Sequence, residues 1–309
     1  MILAVGEILA DMIGVEKNGV TSFERYPGGA PFNVCCGINN LGTKVGFIGT
    51  VGDDLTGHYL ADYVKTLNFA YSNIRIDKEH NTTLAFVENT ADGDRKFSFN
   101  RKNTADYYFD DLALEEIKEA DIILLGPLML SEPEGIKTAD KVVKLVKENN
   151  KLLSFDVNYR DDIYNSKEDA IKISLKYVKE ANIVKFSEEE VMLLSGLDDL
   201  DSGVKKITRL NQLVFVTLGG KGSRFYYNGI SQTVPSIKIK PVDTTGAGDA
   251  FYAGILSGLD KKDIKRISVS EIIEIMKVAN ICGAMACMKK GALSSLPTKA
   301  DLDKYLKML

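Results

Sequence analysis

The chain has 309 residues, of which 45 % are hydrophobic and 27 % are charged, a composition typical of a globular protein with a sizeable buried core. Its 39 basic and 43 acidic residues give a net charge of −4 and are spread along the sequence without a basic block. This pattern argues against a nucleic acid or an anionic membrane as the principal partner.

The location of the protein is predicted from its apolar runs and its cysteines. The apolar runs are shorter than the roughly 20 residues that a membrane-spanning helix needs, and MILAVGE at the start is strand-like rather than typical of a secretion signal. The four cysteines form no C-x-x-C pair, and there are only two histidines. We therefore expect a cytoplasmic protein with reduced thiols and no zinc site.

Short apolar runs alternate with amphipathic stretches along most of the chain. Buried strands are predicted at ILAVGE, VGFIGTVG, DIILLGPL, LLSFDVN, NIVKFS and LVFVTLGG. Between the third and fourth of these runs, EPEGIKTADKVVKLVKENN has the periodicity of a helix. Such alternation predicts a mostly parallel sheet covered by helices on both faces, with ligands bound beyond the carboxyl ends of the strands.

Two segments interrupt this alternation and predict a small antiparallel sheet over the main one. Residues 12–27 are extended around the turn Asn18-Gly19, and residues 82–101 indicate two strands joined at Asp92-Gly93. Two surface hairpins without a functional role are the alternative. A third hairpin, around Asn228-Gly229, is expected at the edge of the main sheet.

The stretch PVDTTGAGDAFYAGIL, from Pro241 to Leu256, combines the features of an anion site. Its glycines let successive N–H groups converge, and the helix predicted from Ala250 adds the positive end of its dipole. Asp249 stands at the helix start, where it can take a proton from a hydroxyl beside the anion site. A plain turn, in which Asp249 only caps the helix, is the alternative. The stretch is neither a Walker loop nor G-x-G-x-x-G.

Two long patterns resemble the signatures of the ribokinase-like (PfkB) carbohydrate kinases. DTTGAGDAFYAGIL resembles the C-terminal signature, and GGAPFNVCCGINNLGTKVGFIGTVGDD, from Gly28 to Asp54, resembles the N-terminal one. The stretches between them are most similar to fructokinases. The resemblance implies a single α/β domain over residues 1–309. It would have a three-layer α/β/α fold, a mostly parallel central sheet and a small β-sheet lid formed by segments 12–27 and 82–101.

The resemblance also implies a reaction and the residues at its centre. The reaction is transfer of the γ-phosphate of ATP to the 6-hydroxyl of D-fructose. Asp249 would be the general base, and the backbone of Gly246, Ala247 and Gly248 the anion hole. In relatives, the arginine that matches Arg101 reaches the sugar from the lid. The positions expected to bind the sugar are Asp11, Gly29, Asn33, Arg101 and Arg160.

Nucleotide and metal positions follow from the same resemblance. The positions that match nucleotide contacts are Lys185, Thr217, Gly219, Gly222 and Asn280. Glu190 matches a glutamate that organises Mg²⁺ and phosphate through water. The family's Asn-x-x-Glu begins here with Ser187, however, and S-x-x-E is also a capping box. The positions that match a site for a monovalent cation, K⁺ in many relatives, are Asp243, Thr245, Ala286, Gly291 and Ser295.

The partners implied by the resemblance are a small-molecule sugar, ATP and a second copy of the chain bound through the lid. A 2-keto-3-deoxygluconate kinase, or another PfkB sugar kinase, is the nearest alternative, because Arg101 and Arg160 can pair with a carboxylate substrate. A catalytically silent, nucleotide-binding regulatory protein is an alternative of a different class. The intact Asp249 and its glycines argue against it.

Overall fold

The computed structural model describes residues 1–89, 95–109 and 116–307. The strands are β1 (Ile2–Val5), β2 (Leu9–Lys17), β3 (Val20–Gly28), β4 (Val45–Gly52), β5 (Tyr71–Asp77), β6 (Leu84–Asn89), β7 (Arg95–Asn100), β8 (Ile122–Leu125), β9 (Leu152–Asp156), β10 (Ile183–Ser187), β11 (Leu213–Thr217), β12 (Ser223–Tyr227) and β13 (Ile230–Val234). The helices are α1 (Ala30–Asn40), α2 (Leu55–Lys65), α3 (Glu116–Glu119), α4 (Pro133–Glu148), α5 (Lys167–Glu180), α6 (Glu188–Ser195), α7 (Leu200–Ile207), α8 (Ala247–Leu259), α9 (Val269–Ala286) and α10 (Lys299–Leu306). Among them, none is both long and apolar enough to span a membrane.

The main sheet has the strand order β13-β12-β11-β10-β9-β8-β1-β4-β5. All neighbours from β11 to β5 run parallel, whereas β12 and β13 are antiparallel. The hairpin between β12 and β13 turns at Asn228-Gly229, where both residues have positive φ, as two-residue hairpin turns require. The predicted hairpin at the edge of a mostly parallel sheet is therefore confirmed.

Alternate residues of the parallel strands belong to two separate apolar cores. In β1, Ile2 and Ala4 pack with α1, α2, α8 and α9, whereas Leu3 and Val5 pack with α4 to α7. Because successive side chains of a strand point to opposite faces, the helices cover the sheet on both sides. This arrangement confirms the predicted three-layer α/β/α fold.

A second, smaller sheet has the order β3-β2-β6-β7. Strands β2 and β3 form a hairpin that turns at Asn18-Gly19, and β2 also pairs in parallel with β6. The strands of this sheet fall in the predicted segments 12–27 and 82–101 as far as these are described, although the first hairpin begins at Leu9. The predicted turn at Asp92-Gly93 lies outside the described residues. The small separate sheet is confirmed, whereas its action as a lid stays a prediction.

Candidate active site

A cavity of about 1450 Å³ lies between the small sheet and the carboxyl ends of the main-sheet strands. Its walls include β2, β3, the first turn of α1, the loop after β9, β10, the loop before α8 and residues 290–294. This is the edge at which parallel α/β sheets bind ligands. The predicted site residues that line it are Asp11, Gly29, Asn33, Arg160, Lys185, Asp243, Thr245, Gly246, Gly248, Asp249 and Gly291.

Asp249 is the third residue of α8 and lies at the cavity. Its Oδ2 atom accepts a hydrogen bond of 2.9 Å from Nδ2 of Asn33, in the first turn of α1. Burial raises the pKa of Asp249 to about 6, with a further contribution from the charge of Asp156, while the Asn33 hydrogen bond and Lys185 oppose the shift. The carboxylate is therefore ionised at neutral pH yet more basic than an ordinary aspartate, which suits a general base.

The glycines at the start of α8 face the cavity, where an anion site is predicted. Gly246 precedes the helix with a φ of 78°, and a Cβ there would lie 3.0 Å from Cα of Ala292. Gly246 and Gly248 line the cavity, where the first-turn N–H groups of a helix have no intrahelical partner. The N–H of Ala247, by contrast, donates to the Thr244 carbonyl at 3.2 Å. Ala247 does not line the cavity.

Lys185 brings a positive charge to the start of α8. A Cβ added to Gly248 would lie 3.2 Å from Lys185 Nζ. Nζ donates to both carboxylate oxygens of Asp156, each at 2.9 Å. Burial opposes the charge of Lys185, but the attraction of Asp156 and Glu190 raises its pKa above the ordinary value. The ammonium therefore stays charged beside the start of α8.

Where the small sheet meets α1, two glycines make room for the residues around them. A Cβ on Gly28 would lie 2.4 Å from Oδ2 of Asp11, so glycine is needed for this carboxylate to keep its position. Gly29 has a φ of 110°, and a Cβ there would lie 2.6 Å from the Glu7 carbonyl oxygen. The double glycine of the N-terminal signature thus serves the geometry of the cavity wall.

Arg101 does not line the cavity, contrary to the expectation that it reaches a ligand from the small sheet. Its side chain is buried, and Nε and Nη2 donate to Oδ2 of Asp106 at 3.0 and 2.5 Å. Nη1 donates to the Leu128 carbonyl at 2.6 Å and to Ser131 Oγ at 3.1 Å. The hydrogen bonds of the Arg101 guanidinium are therefore made within the protein. Arg160, by contrast, lines the cavity.

The expected nucleotide contacts other than Lys185 lie outside the cavity wall, around the end of β11. Asn280 is buried in α9, where Oδ1 accepts from Ser223 Oγ and Nδ2 donates to the Val234 carbonyl, both at 2.9 Å. These bonds tie α9 to the β12–β13 hairpin. Contacts to a nucleotide stay a prediction for Thr217, Gly219, Gly222 and Asn280.

Glu190 has the geometry of a helix cap. Ser187 Oγ accepts from the Glu190 N–H, and Glu190 Oε2 accepts from the Ser187 N–H at 2.7 Å, which completes a capping box. Oε1 accepts from the Tyr159 N–H at 2.8 Å, and burial raises the pKa of the Glu190 carboxyl. Each oxygen keeps a second lone pair. The residue therefore fits a contact to Mg²⁺ through water better than direct coordination.

The residues expected at a monovalent-cation site are only partly brought together. Asp243 accepts from the N–H and Oγ1 of Thr245 at 3.0 and 2.8 Å, and from the Gly291 N–H at 2.8 Å. The hydroxyl of Ser295 is buried and donates to the Ala292 carbonyl. Ala286 is the last residue of α9. A cation at this loop stays a prediction.

Sequence reasoning missed two buried carboxyl groups next to the cavity. Asp156 lies within the stretch SFDVNYR, but nothing in the sequence pairs it with Lys185. Glu7, two residues after the end of β1, is fully buried, and neither side-chain oxygen has a hydrogen-bond partner in the described part of the chain. Burial raises the pKa of Glu7 to about 8. The sequence indicates Glu7 only as an ionisable residue at a strand that is predicted to be buried.

The three-layer α/β/α fold, with Asp249 at a helix start that faces a cavity under a small sheet, agrees with the carbohydrate kinase family that the sequence resembles. The chain matches the pfkB family carbohydrate kinases over residues 1–299 and belongs to that family. Fructokinase-1 of Zea mays is 37 % identical over 312 residues, which cover 98 % of this chain and 96 % of the maize protein.

Two solved structures illustrate the similarity of fold. A double mutant of fructokinase from Vibrio cholerae O395, in the fructose-, ADP- and potassium-ion-bound form, has a TM-score of 0.87 at 29 % identity and covers 99 % of this chain and 97 % of that one. The sugar kinase PH1459 from Pyrococcus horikoshii, in complex with ATP, has a TM-score of 0.86 at 34 % identity, with 99 % and 98 % covered. The predicted family and its similarity to fructokinases are confirmed.

Proposed function

We propose that this carbohydrate kinase transfers the γ-phosphate of ATP to the 6-hydroxyl of D-fructose, with Asp249 as the general base. One observation carries the proposal. Asp249 lies at the cavity with Oδ2 bound by Asn33, while Oδ1 has no hydrogen bond within the described residues. A carboxylate fixed through one oxygen and open at the other is arranged to accept a proton. Fructose is proposed as the acceptor because the relatives are named fructokinases.

In the proposed reaction, Asp249 takes the proton of the 6-hydroxyl as the sugar oxygen attacks the γ-phosphorus of ATP. One oxygen–phosphorus bond forms to the sugar, and the bond from the γ-phosphorus to the bridging oxygen breaks to release ADP. The negative charge of the transferred group is met by the backbone of Gly246 and Gly248 and by the Lys185 ammonium. Such positioning and charge stabilisation are the main requirements of phosphoryl transfer.

The sugar is proposed to bind between the small sheet and the main sheet. Asp11, Asn33 and Arg160 line this part of the cavity and offer the donors and acceptors that several hydroxyls require. The small sheet would act as a lid that keeps water away from the phosphate. Without such closure, water would compete with the sugar as the acceptor.

Two cations complete the proposal. Mg²⁺ bound with ATP would offset the charge of the phosphates, and Glu190 would hold it through water. K⁺ is proposed at the loop of Asp243, Thr245 and Gly291, where the V. cholerae relative's potassium-bound form gives a precedent in the family. Ala286 and Ser295 would contribute backbone carbonyls from the adjoining segments.

A homodimer through the small sheet is also proposed. Four apolar side chains of β2 and β3 are exposed: Val15, Val20 and Tyr26 lie on one face of the hairpin, where Val15 and Tyr26 also line the cavity, and Phe23 lies on the other face. Exposed apolar clusters of this kind mark interaction surfaces. Light scattering on the wild type and on Val20→Lys tests the proposal. A monomeric wild type, or a dimer that the lysine does not weaken, would contradict it.

A panel of sugars assayed with ATP and Mg²⁺, on the wild type and on Asp249→Asn, tests the proposed reaction. We expect the highest kcat/KM with D-fructose, and a loss of kcat of roughly 100- to 10,000-fold in the variant. Calorimetry should show that the variant still binds sugar and ATP. If 2-keto-3-deoxygluconate were turned over faster than fructose, it would be assigned as the substrate in place of fructose. Retention of kcat by the variant would overturn the role of Asp249.

A further inference from the structure

Asp156 and Lys185 form an ion pair that is fixed by the main sheet. The two residues are directly opposite each other on the parallel strands β9 and β10. Their side chains are 3 % and 8 % exposed, respectively, and both Asp156 oxygens accept from Lys185 Nζ at 2.9 Å. Of the pair, Lys185 lines the cavity and Asp156 lies behind it. The ammonium is thus held from the protein side of the cavity wall.

The charge of Lys185 also acts on a second carboxylate, that of the proposed base Asp249. Nζ would be 3.2 Å from a Cβ on Gly248, the residue that precedes Asp249. An ammonium has three N–H bonds, and within the described residues two of them are used on Asp156. The third is available to a ligand at the anion site.

We propose that Asp156 is a positioning residue that holds the Lys185 ammonium beside the anion site and prevents it from pairing with the Asp249 carboxylate. This inference rests on the proposed function, in which Asp249 is the base. An ion pair between Lys185 and Asp249 would occupy the lone pair that must accept the substrate proton. It would also lower the basicity of the carboxylate.

The surroundings of Lys185 explain why Asp249 would be its next partner. A buried ammonium that loses its counter-charge must find another, because an unpaired buried charge is costly. Besides Asp156, the carboxylates that act on Lys185 are Glu190 and Asp249. Both oxygens of Glu190 already accept backbone N–H groups. Asp249 has one oxygen without a hydrogen bond in the described structure, so it offers the better alternative.

The test compares four proteins: the wild type, Asp156→Asn, Lys185→Gln and the double variant. For each, the acid limb of kcat/KM for the sugar is measured at saturating ATP. The charged or titratable groups that act on Asp249 are Asp156, Lys185, Arg160 and, more weakly, Glu7. Arg160 and Glu7 are unchanged in all four proteins, as is the titration of ATP itself. Differences between the four profiles therefore report on Asp156 and Lys185.

In Asp156→Asn we expect kcat to fall roughly 10- to 100-fold, in the range of one lost positioning or charge interaction, and the acid limb to move to lower pH. Adding Lys185→Gln should move the limb back up, by more than the same substitution does in the wild type. If Lys185 kept its position without Asp156, the Lys185→Gln substitution would shift the acid limb equally in the wild type and in Asp156→Asn. Equal shifts, or an acid limb that does not move in Asp156→Asn, would overturn the proposal.

A crystal structure of Asp156→Asn gives a second readout that does not depend on activity. The proposal expects Lys185 Nζ within hydrogen-bond distance of an Asp249 oxygen, and an unmoved Nζ would contradict it. Asp140→Asn is the matched control, since Asp140 binds Lys176 through both oxygens on the exterior, and its profile should not change. If Asp249→Asn kept full activity, the assignment of the base would fail. The position of Lys185 Nζ would still test whether Asp156 positions the ammonium.

Discussion

Asn33 and Asp249 lie 216 residues apart in the chain and meet in one hydrogen bond of 2.9 Å, from Nδ2 to Oδ2. The contact joins the first turn of α1 to the first turn of α8. The two helices pack closely enough that a Cβ on Gly37 would lie 2.6 Å from Cβ of Ala253. The N-terminal and C-terminal signatures of the family are therefore two halves of one site.

Asn33→Ala should weaken catalysis by releasing the Asp249 carboxylate. The hydrogen bond from Asn33 lowers the pKa of Asp249, which burial raises to about 6. Its loss should therefore raise that pKa, so that the rate begins to fall at a higher pH than in the wild type. A charged hydrogen bond of this kind supports a loss in kcat of roughly 10-fold or more. A pH profile of kcat between pH 5 and 8 measures both effects.

The control for this experiment is Asn39→Ala, in the last turn of the same helix, for which we expect an unchanged profile. If Asn33→Ala lowered kcat without moving the acid limb, Asn33 would act on the sugar rather than on the base. An unchanged kcat would show that the carboxylate keeps its orientation without this bond.

Glu7→Gln should make the protein more stable at alkaline pH. Burial raises the pKa of Glu7 from 4.5 in the unfolded chain to about 8 in the fold, so the folded state binds this proton more tightly. Stability from this group is therefore complete below pH 4.5 and is lost as the pH rises through 8. Glutamine does not titrate, so the variant avoids the loss.

The expected gain for Glu7→Gln is about 3–5 kcal/mol in the free energy of unfolding at pH 9, and close to zero at pH 4.5. Urea unfolding at both pH values measures it. Glu189→Gln, at an exposed position of α6, is the control and should give no pH-dependent difference. A Glu7→Gln variant that is equally destabilised at both pH values would show that the buried carboxyl has a partner that glutamine cannot replace.

Gly28→Ala tests the space that Asp11 requires. The added Cβ would lie 2.4 Å from Oδ2 and 2.8 Å from Cγ of Asp11, so the carboxylate must move away from its place in the cavity wall. We expect KM for the sugar to rise roughly 10-fold or more, as for the loss of a charged hydrogen bond, with KM for ATP little changed.

The matched control for Gly28→Ala is Gly220→Ala, where a Cβ meets nothing within 4 Å and φ is not positive. Its kinetics should equal those of the wild type. If Gly28→Ala changed KM for ATP as much as KM for the sugar, the substitution would disturb the whole cavity, and a specific role of Asp11 would not be supported.

The sequence was sufficient to predict the fold and the two ends of the hydrogen bond between Asn33 and Asp249, because each end belongs to a long continuous pattern. The pairing of Asp156 with Lys185 was not predictable, since it depends on the register between β9 and β10. The burial of Arg101 was missed for a similar reason. Its partners Asp106, Leu128 and Ser131 come from separate segments, and only the folded chain brings them together.

Arg101→Gln should affect the stability of the protein and Arg160→Gln the KM for the sugar, although the sequence suggests the same role for both residues. Asp106 keeps hydrogen bonds from Thr83 and Thr104, but without Arg101 its buried charge loses its counter-ion. Removal of one partner from a buried pair costs about 3–5 kcal/mol, so Arg101→Gln should unfold at lower urea concentration. Arg160 is exposed at the cavity, and Arg160→Gln should leave stability unchanged and raise KM for the sugar.

Urea unfolding and sugar kinetics on both arginine variants provide the measurement. Each variant serves as the control for the other, because both lose one positive charge near the same cavity. A rise in KM for Arg101→Gln with wild-type stability would mean that Arg101 leaves Asp106 and reaches the sugar when the substrate binds. A destabilised Arg101→Gln with wild-type KM would instead establish the buried ion pair as a structural support of the cavity, with Arg160 as the arginine that contacts the sugar.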